Sequence, residues 1–395
     1  MESKLKINKQ TFIGLILYPT ILICLCITYL RQYGFGWFEF TCVLLGHYIT
    51  NISVGVGLHR LWSHGAFKTN KVVEFILCLL STGALQGPAI IWASDHYKHH
   101  SYTDTDLDPH SPKKFSNRFL GFLWSHIGWM LVKDYNNKHI DRVTMKKLGN
   151  NKILLWQLKH YWSILFFMHS IPPFLIGYLW KGTFLAGYTS FLFIGIGRIF
   201  QQHMTFCVNS VCHFWGTRKY TSGTARDIWW LAPLLLGENW HNFHHAFPSD
   251  YRNGVKWYHF DLHKWIIYAM EKVGLAWDLD RTPEFRIRAK EENTARQLLD
   301  EVKVEWRTIY SRYESLKSNM RSKLAELENY SPDLRNTIMH NLNDLSNKVD
   351  NLISEVKLFM DSPEVSSNRV LKAAYRNFTH LQMKFDQIMQ RLSTA

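Results

Sequence analysis

Four stretches of the chain, roughly 11–30, 36–57, 160–180 and 183–205, are apolar for about twenty residues each, the length a helix needs to cross about 30 Å of hydrocarbon. No water reaches the backbone inside a bilayer, so each run must satisfy its own N–H and C=O groups by coiling into a helix. A few residues around Arg31 to Gly36 join the first two runs, and a tight turn near Trp180 to Thr183 joins the last two, which makes two helical hairpins. The mean hydropathy of −0.17 hides this pattern. It averages an apolar part, residues 1–289, with a polar and charged part from Lys290 onward. The expected fold is an all-α integral membrane protein. Residues 1–290 would form the membrane domain, and residues 291–395 a helical extension.

A fifth apolar run, 73–93, contains Glu74, Gln86 and Pro88. If it crossed the membrane, the histidines before and after it would lie on opposite sides and share no metal. It is therefore expected to be re-entrant or interfacial.

Charge sets the orientation. The loops after the first and third runs hold one basic residue each, Arg31 and Lys181, whereas 59–159 holds fourteen, and Lys4, Lys6 and Lys9 precede the first run. Basic loops stay in the cytoplasm, so both termini and the histidine clusters are expected there, on a multi-pass membrane protein. The net charge is +14, and the tail from Lys290 contributes about +1 of it. A basic membrane-proximal face suits anionic headgroups and acidic soluble partners. Nucleic acid is not expected as a partner, because the basic residues flank membrane runs and no nucleic-acid motif is present. The six cysteines all lie in apolar stretches without a CxxC pair and read as small buried hydrophobes. The N-terminus lacks a cleavable signal pattern, so the first run is expected to remain as an anchor.

The chemistry lies in the histidines. Of twenty, nine fall into tight groups: His59 and His64, His96 with His99 and His100, His241 with His244 and His245, and His213 four residues after Asn209. On a helix, positions three and four apart share a face, so each HxxHH box can point at one place. His59 and His64 are five apart and are expected to diverge, serving two neighbouring ions. Imidazole suits iron. Nine histidines exceed what one ion can hold, and zinc sites rarely need more than four ligands, so two metal ions other than zinc are implied. Isolated histidines such as His47, His126, His160, His169, His203 and His263 read as structural.

Beyond Lys290, apolar residues recur at steps of three and four. They run from Leu299 through Val302, Trp306, Ile309, Tyr313 and Leu316 to Met320, then from Ile338 through Leu342, Leu345, Val349, Leu352 and Val356 to Phe359, and more loosely from Leu371 to Leu392. Breaks at Ser331-Pro332-Asp333 and Asp361-Ser362-Pro363-Glu364 divide this into three heptad-patterned helices. They are expected to pack on themselves or on a second copy, with protein binding as the alternative.

Taken in order, GLHRLWSH (57–64), WASDHYKHH (92–100), DPHSP (108–112), WSHIGWML (124–131), NSVCH (209–213) and ENWHNFHHAFPSDYRNG (238–254) resemble the membrane fatty acyl desaturases of the stearoyl-CoA desaturase type. The resemblance continues through 257–279 and covers about residues 10–290. It implies two irons held by His59, His64, His96, His99, His100, His213, His241, His244 and His245, with Asn209 acting through a water. It implies four spans, a cytosolic cap, and insertion of a cis double bond, commonly at the ninth carbon, using O2 and two electrons. A narrow, kinked apolar tunnel would set one pair of carbons at the metals, with Gln86, Trp92, Trp124 and Trp129 as wall candidates. Asp95, Asp104, Asp108 and Glu238 are candidates to hold imidazole N–H groups. Arg198, inside the fourth run, is expected to face the interior.

The chain departs from the family at residues that contact CoA in its animal members. Gly87-Pro88-Ala89-Ile90-Ile91 precedes Trp92, Ser94 follows it, and Lys133-Asp134 comes later. An acyl-CoA is the expected substrate, with an acyl group on a membrane glycerolipid as the alternative. A histidine-box hydroxylase and a non-enzymatic membrane scaffold are the other readings. The His-Pro-Gly-Gly signature of a fused cytochrome domain is absent. The expected electron donor is thus a separate ferredoxin, rubredoxin or cytochrome b-type protein with its reductase. The expected setting is the plasma membrane in a bacterium or the endoplasmic reticulum in a eukaryote.

Overall fold

A computed structural model describes residues 6–133, 140–326, 332–361 and 368–393. Lys4, Asp134, Ser331 and Ser362-Pro363-Glu364 lie outside them. Among the described residues the chain runs β1 (Lys6–Ile7), α1 (Lys9–Tyr33), α2 (Trp37–His64), β2 (Lys68–Thr69), α3 (Lys71–Thr82), α4 (Ala89–Tyr102) and α5 (Arg118–Leu123), which Trp124–Gly128 and Trp129–Leu131 continue. Next come β3 (Val132–Lys133), α6 (Arg142–Leu148), α7 (Lys152–Lys181), α8 (Phe184–Phe214), α9 (Ala232–Leu235), α10 (His241–Ala246), α11 (Leu262–Lys272) and β4 (Ala276–Trp277). Helices α12 (Glu284–Glu326), α13 (Pro332–Asp361) and α14 (Asn368–Ser393) complete it.

Helices α1, α2, α7 and α8 are the four long and apolar enough to cross a membrane. Local signals set their ends. The Asn151 side chain caps Ile153 N at 3.1 Å, and Gly182 closes α7 in the left-handed region at φ 68°. The Thr183 hydroxyl then opens α8 by accepting from Ala186 N. Helices α2 and α8 approach so closely that a Cβ on Gly46 would lie 2.2 Å from Ile194 O, and one on Gly197 2.1 Å from Val43 O. Small residues at such crossings let two apolar helices gain packing contact. Arg198 is buried as expected and donates to Met168 O at 2.9 Å.

The fifth apolar run is not one helix. It breaks between α3 and α4, where Leu85 and Gly87 take positive φ of 53° and 95°. Glu74 is buried and accepts from Trp62 Nε1, Lys71 and Asn151, so its charge stabilises the junction of α2, α3 and α7. Two antiparallel strand pairs tie the cap together, Lys6 opposite Lys133 and Lys68 opposite Trp277.

The chain divides into two compact units at Glu291 and Glu292. The second unit has its own core, in which Trp306, Ile309, Tyr313, Leu316 and Met320 meet Ile338, Leu342, Leu345, Val349, Ile353 and Val356 of α13 and Ala374, Leu381 and Phe385 of α14. Ile353 is buried where the heptad reading chose Leu352, which is only partly covered. A straight helix drifts against a strict seven-residue repeat, which brings the next residue inward.

Candidate metal centre

Four helices deliver the histidines. His59 and His64 end α2, and α4 carries His96, His99 and His100. Asn209 and His213 flank a break in α8 at Ser210, and α10 carries His241, His244 and His245. The last twelve residues of α2, Ser53–His64, form a π-helix. Its i→i+5 pattern stacks residues five apart on one face. His59 and His64 therefore do not diverge. Their rings lie 4.9 Å apart, and both enter one group of donors with His96 and His244.

A second group unites His99, His213, His241 and His245. Neither HxxHH box points at one place; each divides between the groups. At about 100° per residue, neighbours such as His244 and His245 fan apart, while His241 and His245 stay aligned. His100 sits between the groups, its Nε2 2.9 Å from that of His244 and its ring stacked on His245 at 4.5 Å. Nε2 atoms meet in facing pairs: His64 and His96 at 2.8 Å, His59 and His244 at 3.0 Å, His213 and His241 at 3.0 Å, His99 and His245 at 3.2 Å.

The opposite ring nitrogens show why this arrangement fits cations. Nδ1 of His59 lies 2.8 Å from Glu238 Oε2, and Nδ1 of His99 lies 3.0 Å from Asp108 Oδ1. Nδ1 of His213 lies 2.7 Å from the Thr224 hydroxyl, which itself donates to Asp104. These acceptors assign the proton to Nδ1 and leave a lone pair on Nε2. The Nε2 lone pairs of His59, His99 and His213 therefore point at the Nε2 of His244, His245 and His241 and are open to a cation.

Glu238 holds the α2 end of the site. It also accepts from Arg60 at 3.2 Å, Asn253 at 2.9 Å and His263 at 3.0 Å. Burial alone would raise its pKa, but the adjoining His59 and Arg60 and its hydrogen bonds to His263 and His59 hold it well below the usual carboxylate range. Asp104 thus acts on His213 through Thr224, and Asp108 acts directly on His99. Burial pushes Asp108 up to about 7. Among the described residues Asp95 makes no hydrogen bond or ion pair with a cluster histidine. It faces Lys98 at 3.6 Å and lines the cavity beside the cluster, where burial pushes it up to about 6. Burial first, and the neighbouring histidines second, hold His96, His99, His241, His244 and His245 well below the ordinary imidazole range. They are neutral at pH 7 and able to ligate.

A cavity of about 110 Å³ reaches His59, His96 and His241. Gln86, Trp92, Trp129 and Asn209 line it, and Trp92 stacks on His96 at 4.8 Å. It shares Gln86, Ile91, Asp95 and Trp129 with a larger cavity of about 540 Å³, whose wall includes Trp124, Asn8, Gln10 and Thr11. All four expected wall residues therefore border one or both of these neighbouring cavities.

Several contributors escaped the sequence reading. His110 packs on His99 with ring centroids 4.1 Å apart, and forms a third donor group with His99 and Asp108. Its place in DPHSP was the available signal. His263 was read as structural, yet it orients Glu238. Asp227 accepts from Asn242 N at 2.7 Å and Phe243 N at 3.3 Å, pinning the start of α10. Neither Asp227 nor Thr224 lies in a recognisable motif.

Comparison with known proteins places residues 35–279 in a match to the fatty acid desaturase family model. A probable acyl-CoA desaturase of Schizosaccharomyces pombe is 37% identical over 65% of this chain and 52% of its own. Acyl-CoA desaturase 1 of Saccharomyces cerevisiae is 35% identical over 59% of this chain and 44% of its own. Delta-9 acyl-lipid desaturase 2 of Arabidopsis thaliana is 34% identical over 63% and 77%. The chain thus spans about half the length of the two yeast relatives.

Proposed function

Because the chain belongs to the fatty acid desaturase family, we propose that it is a di-iron acyl desaturase that inserts a cis double bond at the ninth carbon of a saturated acyl chain, using O2 and two electrons. The observation that carries this reading is the pair of four-imidazole groups set against an apolar cavity. One iron would be held by His59, His64, His96 and His244, the other by His99, His213, His241 and His245, with His100 beside both and Asn209 holding a water. Bound iron supplies the reduction of O2 and the removal of hydrogen from an unactivated methylene.

The chain's own residues do the rest. Glu238, Asp108 and the Thr224–Asp104 pair fix the tautomers of His59, His99 and His213, leaving their Nε2 atoms unprotonated. Trp92, Trp129 and Ile91 form an apolar wall that would exclude water and guide the acyl chain past His96. The membrane domain, residues 1–290, would place both termini and the cap in the cytoplasm. Electrons would come from a separate carrier protein, and residues 291–395 would be an accessory helical module.

Acyl-CoA is the first reading for the substrate, in line with the names of the yeast relatives. An acyl-lipid substrate is the second. It is supported by the larger cavity, whose described lining includes Asn8, Gln10, Thr11, Gln86 and Asp95 but no Lys or Arg to meet the phosphates of CoA. Expression in a desaturase-null host with mass spectrometry of the cellular lipids tests the function. A new monounsaturated chain with its double bond at the ninth carbon is expected; unchanged lipids from a well-expressed protein rule the proposal out. Assay with acyl-CoA against phospholipid then separates the carriers.

A further inference from the structure

The histidine cluster is reached from two sides. The acyl cavity touches His59, His96 and His241. A separate cavity of about 330 Å³ touches His64, His96 and His100 instead, and is also lined by Tyr97, Lys147 and Ser249. It shares only His96 with the first. Helix α6 forms one wall, with Val143, Thr144, Lys147 and Leu148 all lining the space. Lys147 Nζ donates to Ser63 O at 2.8 Å, which fixes α6 beside the end of α2.

The location of this wall follows from helix length. The 28 residues of α2 exceed the roughly 20 that a helix needs to cross the hydrocarbon core. The His64 end therefore stands clear of the bilayer interior, and α6 stands with it. The exposed face of α6 is basic and partly apolar. It shows Arg142, Lys146 and Lys147, with Val143 50% and Met145 43% exposed. No acidic residue lies within the helix, and the Asp141 side chain before it is engaged in capping Thr144 N.

We infer that this second cavity, with α6 as its rim, is the port at which an acidic one-electron carrier protein docks and passes electrons to the cluster through His64 and His100. This rests on the desaturase reading. The reaction R–CH2–CH2–R′ + O2 + 2 e⁻ + 2 H⁺ → R–CH=CH–R′ + 2 H2O forms one C=C bond, breaks two C–H bonds and reduces O2 to two waters. The carrier, oxidised twice by one electron, supplies the pair. With the acyl chain in the first cavity, as the desaturase reading has it, a carrier protein cannot approach the cluster from that side. The second cavity reaches the cluster without crossing the acyl path. The basic face of α6 attracts and orients an acidic partner, and Val143 and Met145 give it an apolar patch to dehydrate.

The test uses the full chain in nanodiscs of zwitterionic lipid, loaded with zinc for binding and with iron for turnover. The probe is the acidic, soluble haem domain of a cytochrome b5. Arg142→Glu/Lys146→Glu is expected to raise its Kd about tenfold or more, with the difference collapsing at high salt. The same charge change at the exposed Lys68 and Lys272 is expected to leave Kd unchanged. Single-turnover desaturation, in which protein reduced with dithionite and then desalted is given O2 and substrate, is expected to be equal in wild type and both variants. An unchanged Kd in the α6 variant, or an equal loss in the Lys68/Lys272 variant, overturns the port. So does an α6 effect that appears only when phosphatidylserine is added to the nanodisc, which would assign α6 to lipid headgroups. Absence of single-turnover desaturation in wild type would instead refute the desaturase reading, while the binding result on the zinc-loaded protein still decides the port.

Discussion

His59 and His64 lie five residues apart, yet their rings face one point, 4.9 Å apart, because the end of α2 is wound as a π-helix. On an α-helix the two would differ by about 140° and could not share an ion. The wider winding stacks them on one face and leaves His99, His213, His241 and His245 to form the other group. The two groups should therefore be separable by mutation.

His64→Ala is expected to remove one ligand from the first group and none from the second. Metal analysis of the purified protein should show about half the wild-type content. His245→Ala should give a similar loss from the second group, and His100→Ala, beside both, should lower both. All three should abolish desaturation. Full metal content in either of the first two variants would refute the assignment of ligands to groups.

Glu238 contacts His59, His263, Arg60 and Asn253 in a buried network. Glu238→Ala removes one of the two carboxylates that face the buried Arg60 among the described residues, the other being Asp261. Removing one partner of a buried pair costs about 3–5 kcal/mol. The imidazole of His59 also loses the group that fixes its tautomer, for which metal affinity falls about 10–100-fold in comparable sites. Thermal melting in detergent should show the first effect and metal titration the second. Glu238→Gln should recover part of the stability and less of the affinity.

Asp227 acts at a distance. Its carboxylate caps the start of α10, and a lost cap of this kind costs about 1 kcal/mol. Asp227→Ala is expected to lower the melting temperature modestly. It should weaken metal binding more than melting suggests, because α10 carries ligands of both groups. Equal metal affinity in the variant would show that His241 is held without this cap.

How much of this was readable in the residues depends on the range of the interaction. The four spans were legible because the bilayer imposes their length, though α7 starts at Lys152 rather than near 160. Hydropathy marks where a helix meets lipid, whereas hydrogen bonding carries it further, with Asn151 as its cap. All nine histidines were legible as local clusters. Their division into groups was not, since it turns on the winding of Ser53–His64. Asp104 was placed near the site, but its route through Thr224 joins residues 120 apart, and no spacing rule reaches that far.

Residues 292–395 pack around their own core of Trp306, Tyr313, Leu342 and Phe385. Their deletion is expected to leave metal content and the melting transition of the membrane domain unchanged. Loss of bound metal on truncation would tie the extension to the site.

The last prediction concerns acid. Burial, followed by the charges of neighbouring histidines, lowers His100 to about 3, and burial lowers His110 likewise. The unfolded imidazole titrates near 6.5, so protons bind the unfolded chain more readily. The sign follows from linkage: stability is fully present above about 6.5 and is lost as the pH falls toward the folded values. Metal ligation requires the same neutral imidazoles, so the bound metal should be lost over the same interval. Metal-free protein should melt at progressively lower temperature from pH 7 to 5, and loaded protein should release its metal as the pH drops below about 6. A melting temperature flat across this range would mean that His100 and His110 titrate as ordinary exposed imidazoles.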